Sequence, residues 1–295
     1  MSAPAAFSWL RVAGVVAAAV CAFLLLWKYT GFSKWAEKKS RVALGIQAAA
    51  PLAAAGGEFD PQLWERSLRY WEPFEVDERD AVRVKELGIT SYVPRDNLAS
   101  IESRVTGRRP NRGEVVDGLR ALNAVLLRYP QRFLKQTGFE RLVWLCEIMK
   151  DGAPARGFAL PPAKALVLDP TAFTPDIFHH EIFHMVDYRL HGYPGEQPAW
   201  DALNPRGTAY IGFEAYAEEL RRGQGLGHLH PSFMTDYARA AAAEDRAETF
   251  RVLMNEPALA RERRTGSAVL DAKARYVIQV VDELAAGSSV ALDLR

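Results

Sequence analysis

Residues 180–184 read His-Glu-Ile-Phe-His, and this spacing constrains the chain more than any other feature of it. On an α-helix, residues four apart lie one turn apart on the same face, so two imidazoles can grip one metal ion. Glu181 then sits beside the first imidazole, where it can act as general base toward a metal-activated water. The flanks fit a helix over 175–190, with Thr174 as N-cap and Pro175 in the first turn. Phe178, Ile182, Met185 and Val186 are placed to pack it into a core. His179 points about 100° away and reads as a bystander or as a hydrogen-bond donor behind the ligands. All six histidines lie between His179 and His230, so any imidazole chemistry is confined to that stretch.

Zinc in a catalytic site takes three protein ligands and keeps one open position. A histidine third ligand of the metzincin kind would need Gly at 187 and His at 190. The chain has Asp187 and Leu190, with His191 one place off. An aspartate class marked by Gly-Thr-x-Asp is also missing, because 207–210 read Gly-Thr-Ala-Tyr. A glutamate on a later helix remains. Glu214 with Glu218 and Glu244 with Glu248 both have the spacing in which the first carboxylate binds metal and the second orients a ligating histidine. Glu244 is preferred, because Ala247, Phe250, Val252 and Leu253 give its helix an apolar face. Either pair also fits a solvated helix face.

A formal net charge of +1 gives no field for nucleic acid. The cysteines, Cys21 and Cys146, exclude a disulfide framework and a cysteine-built zinc site, and Cys146 reads as core. Residues 12–27 carry no charge or proline, and Trp9, Trp27 and Tyr29 suit the interfaces of a membrane. A single transmembrane anchor over 1–30 is the expectation, with a cleaved signal peptide as the alternative. Lys28, Lys34, Lys38, Lys39 and Arg41 follow it, and the positive-inside rule favours a cytoplasmic catalytic domain over a periplasmic one. Residues 31–58 read as a basic stalk and Ala/Gly linker, and 59–112 as a segment without assigned chemistry, helical over 61–71. Beyond it come a helix over 114–137 broken near Pro130, strands over 141–148, Gly157–Leu160 and 164–168, and helices over 234–253 and Ala268–Leu284. That order is α+β.

The segments HEIFHMVD at 180–187, Trp200-x-x-Leu203-Asn204-Pro205, and FMTDYARAAAAEDRAETF at 233–250 resemble the bacterial zinc-binding metallopeptidases that are similar to the peptidase domain of anthrax lethal factor. The resemblance covers 113–254. It implies a zincin-like gluzincin domain over 113–295, made of a helix, a small mixed sheet, the His-Glu-x-x-His helix and a glutamate-ligand helix. It further implies one Zn2+ on His180, His184 and Glu244, with Glu181 as base and a peptide or protein substrate. Tyr237 matches a tyrosine seven residues before the ligand glutamate, with a role at the oxyanion or leaving amine; Glu248 and Asp187 match supporting acids. Arg246 departs from the aromatic residue usual there, which implies an altered wall beside the metal. A strand such as Gly157–Leu160 can pair with an extended substrate. The alternative function is a non-catalytic, metal-stabilised binding scaffold.

Overall fold

Leu142, Val143 and Trp144, and later Ala165 to Leu168, form unbroken apolar runs, which suit strands covered on both faces. They form the middle of the main sheet. The computed structural model describes residues 70–294, apart from 76, 78, 97, 102–104, 193–196 and 223–229. Strands β1 (Trp71–Pro73), β2 (Thr90–Pro94), β5 (Arg141–Trp144), β9 (Ala165–Leu168) and β8 (Gly157–Leu160) lie side by side in that order. β2, β5 and β9 are parallel, while β1 and β8 run antiparallel to their neighbours and close the two edges. A second, four-stranded sheet contains β3 (Leu98–Ile101), β4 (Val105–Arg108), β6 (Cys146–Lys150) and β7 (Ala153–Pro154).

The helices are α1 (Val82–Glu86), α2 (Arg112–Leu126), α3 (Gln131–Gln136), α4 (Pro175–His191), α5 (Pro198–Asp201), α6 (Phe213–Arg221), α7 (Ala242–Asn255), α8 (Pro257–Gly266), α9 (Ala268–Leu284) and α10 (Ser288–Ala291). The fold is α+β. α2 starts with a reciprocal cap: Asn111 accepts from the Glu114 N–H at 2.9 Å, and Glu114 accepts from the Asn111 N–H at 2.7 Å.

Several expectations change in detail. The strand expected over 141–148 is two strands in different sheets. Glu147, in the second of them, takes a positive φ of 54°, and its N–H donates to Asp169. Residues 71–94, left without a role by the sequence, supply β1 and β2, and Trp71 is core rather than helix. Residues 61–69 of the helix expected over 61–71 lie outside the described residues, as do the apolar stretch 12–27 and the linker. Among the described residues no helix is long and apolar enough to cross a membrane. The helix expected over 234–253 starts only at Ala242, after a 3-10 turn at Tyr237–Arg239. The carbonyls of Arg239 and Ala240 accept from the N–H groups of Ile211 and Gly212, so they are not available to start the helix earlier. Thr174 precedes α4 in an extended conformation, but its side chain caps nothing.

Gly118 lets α2 sit directly on the sheet. A Cβ there would meet Pro170 at 2.7 Å and the Trp144 ring at 3.0 Å. Alanine normally improves a helix interior by about 0.5–1 kcal/mol. Here overpacking, at about 1–3 kcal/mol, outweighs that gain. Gly118→Ala is therefore expected to lower the urea midpoint of unfolding; a higher midpoint would refute the close-packing account.

Candidate metal centre

α4 and α7 meet through aromatic side chains. Phe183 stacks on Phe250 with centroids 5.1 Å apart, and Phe250 on Phe133 at 6.5 Å. Phe178, Ile182, Met185 and Val186 are buried in the same core. This packing aims His180 and His184 at Glu244. His180 Nε2 lies 3.0 Å from Glu244 Oε2 and 3.1 Å from His184 Nε2, and His184 Nε2 lies 3.7 Å from Glu244 Oε1. One ligand atom from each residue falls within 4.8 Å of the others. Zinc bonds of about 2.0–2.2 Å at tetrahedral angles put ligand atoms about 3.3 Å apart, a value that the observed separations straddle. Glu244 Oε1, Glu181 Oε2 and the Tyr237 hydroxyl are buried with no hydrogen-bond partner among the described residues. Buried polar atoms are rarely left so. Three together beside two facing imidazoles suit a cation and its polar ligands.

Glu248, one turn beyond Glu244, accepts from His180 Nδ1 at 2.9 Å. That bond directs Nε2 into the cluster. Glu248 is itself fixed by Thr235 at 2.7 Å and by Arg251 at 2.9 and 3.1 Å. Neither Thr235 nor Arg251 was foreseen, although Arg251 stands three residues from Glu248 on the same helix. Burial alone pushes the His180 imidazole down, but its hydrogen bonds to Glu244 and Glu248 outweigh this and lift it to about 10. Burial likewise favours neutral Glu244, and the charges of His184 and His180 reverse that, holding it at about 2. Glu181 is raised, first by burial and also by Glu244, against the pull of His180 and His184. Tyr237 sits with its ring 5.8 Å from that of His180, and burial plus the carboxylates of Glu244 and Glu181 keep its hydroxyl protonated.

The other sequence-derived residues fall elsewhere. Glu214 is exposed on α6, and Glu218, also on α6, pairs with Arg222 just past the helix end. Asp187 does not support either imidazole. It accepts from Gln197 at 2.7 Å and pairs with Arg246 at 2.7 Å. Arg246 is accordingly turned toward Asp187 and the Trp200 face, and not toward the His180, His184 and Glu244 cluster, so the expected change in the wall of the site does not occur there. His179 accepts at Nε2 from Arg128 at 3.1 Å, so its Nδ1–H faces Tyr129 at 2.5 Å. Burial and then Arg128 lower it to about 3, which keeps it neutral and outside the cluster.

No protein-family model and no curated protein matches the chain. Among solved structures, it is similar to a protein from Bacteroides caccae described as "a putative zinc-binding metallo-peptidase". The two share 13% identity at a TM-score of 0.43, over 81% of this chain and 90% of that one.

Ligation needs the Nε2 lone pair of His180, where the two carboxylates favour a proton. Metal uptake therefore releases that proton. Because the imidazole is raised to about 10, apparent affinity is expected to climb about tenfold per pH unit through neutrality and to fall on acidification. Competition titrations against a chromophoric chelator at several pH values read this directly. A flat profile would show that His180 is not displaced from its proton.

Proposed function

We propose that the protein is a zinc-dependent peptidase of the gluzincin kind, with zinc on His180, His184 and Glu244. The observation that carries this reading is the convergence of those ligand atoms beside the unpartnered carboxylate oxygen of Glu181. A zinc ion held by these three residues would supply Lewis acidity, polarising a carbonyl and making the attacking water more acidic. Glu181, raised by burial, accepts the proton of the attacking water and returns it to the departing amine. Tyr237, held protonated, donates to the carbonyl oxygen as negative charge grows on it. Glu248, anchored by Arg251 and Thr235, keeps the His180 ring from turning.

The substrate is a peptide or protein chain. β8 lies at the sheet edge, antiparallel to β9, and Gly157 lines a cleft with His180, Glu181 and Ile177. An extended peptide added to that edge brings its backbone past the base.

Glu181→Gln keeps the ligand set and removes the proton acceptor. It is expected to bind zinc like the parent while hydrolysing quenched fluorescent peptides about 10²–10⁴-fold more slowly. Equal rates in the two proteins would remove Glu181 from the mechanism.

We further propose that residues 12–27 hold the enzyme in the bacterial inner membrane by a single span, with the positive-inside rule favouring a cytoplasmic domain. Support comes from the uncharged run and the basic residues after it. The full chain should stay with membranes through an alkaline carbonate wash, and release into the supernatant would contradict the anchor.

A further inference from the structure

Glu244 occupies the first turn of α7, and that turn has no side-chain cap at Ala241. Uncapped helix ends fray, because their first N–H groups lack intrahelical partners. A metal ligand placed there needs another restraint. Asp245, the next residue, supplies one. It lies about 100° around the helix from Glu244 and is fully buried. Its Oδ2 accepts from Lys273 of α9 at 2.6 Å and from the Tyr210 hydroxyl at 2.9 Å. Lys273 also donates to the Ser232 carbonyl at 2.7 Å and stands over the rings of Phe233, at 4.5 Å, and Trp200, at 5.3 Å. Tyr210 is fixed in turn, because its oxygen accepts from Trp200 at 3.0 Å and Asn204 at 3.1 Å. The following residues Ile211 and Gly212 donate to the carbonyls just before α7. Trp200 and Asn204 belong to the Trp-x-x-Leu-Asn-Pro segment singled out in the sequence and unused by the mechanism.

We propose that Trp200, Asn204 and Tyr210, acting through Asp245 and Lys273, are positioning residues that hold the first turn of α7 so that Glu244 meets the two imidazoles. The proposal rests on Glu244 being the third metal ligand. It assigns the Trp-x-x-Leu-Asn-Pro segment to metal affinity.

The test uses the full chain and zinc itself. Tyr210→Phe keeps the ring and removes the hydroxyl. It should weaken zinc binding about 10–100-fold in chelator competition and alter the visible spectrum of the Co2+-loaded protein. Val277→Ala, in the core on the same helix as Lys273, lowers stability without removing a hydrogen bond of this relay. It should leave zinc affinity and the Co2+ spectrum unchanged. Parent-like affinity and spectrum in Tyr210→Phe would overturn the proposal, as would an equal loss of affinity in Val277→Ala. If Tyr210→Phe does not fold, Asn204→Ala, which removes one donor to the same oxygen, carries the same comparison. Glu244→Gln separates the two claims: retained zinc there sinks the ligand assignment, whereas lost zinc there with parent-like Tyr210→Phe sinks only the positioning role.

Discussion

The His180 ring is clamped between two carboxylates that stand one turn apart on a single helix, and the surrounding helices are arranged to make that clamp affordable. Glu244, Asp245, Arg246, Glu248 and Arg251 are all buried on α7. Each such charge costs several kcal/mol to desolvate unless it is paired. The pairs come from separate parts of the chain. His180 answers Glu244 and Glu248, Lys273 answers Asp245, and Asp187 answers Arg246. Arg251 closes on Glu248, Asp176 and Glu256. A rotation of α7 by one residue would break these pairs together, so the charges set its register more sharply than its apolar face does.

This pattern explains what was readable in advance. The His-Glu-x-x-His spacing is a property of one helix, so its geometry follows from local periodicity alone. The central strands were legible for a similar reason, because unbroken apolar runs need cover on both faces. The limits of α7 were not legible. Alanine-rich 238–243 has high helix propensity, yet the carbonyls of Arg239 and Ala240 are taken by residues from 211–212. That competition is tertiary and leaves no periodic trace. Arg246 and Asp187 went astray for the same reason. They are 59 residues apart and satisfy each other, so neither shows its role from its own neighbourhood. The strongly charged run at 244–251 resembles a solvated face in sequence, because burial of charge is invisible until the partners are known.

The number of ligands bears on whether the cluster is a structural brace or a working site. Structural zinc sites are closed by four protein ligands and contribute folding energy that a small domain lacks. Here the ligand cluster among the described residues contains three members, His180, His184 and Glu244. The domain also has an extended core of its own, running from α2 through the sheet to α4, α7 and α9, and so has little need of a metal staple. Glu181 and Tyr237, near this cluster, also carry buried polar oxygens without hydrogen-bond partners among the described residues. A brace gains nothing from such groups, since each costs about 1–3 kcal/mol when it stays unsatisfied. On the proposed reading, a buried carboxylate and a protonated hydroxyl beside a three-residue cluster suit hydrolysis better than a brace, which favours the peptidase over the scaffold.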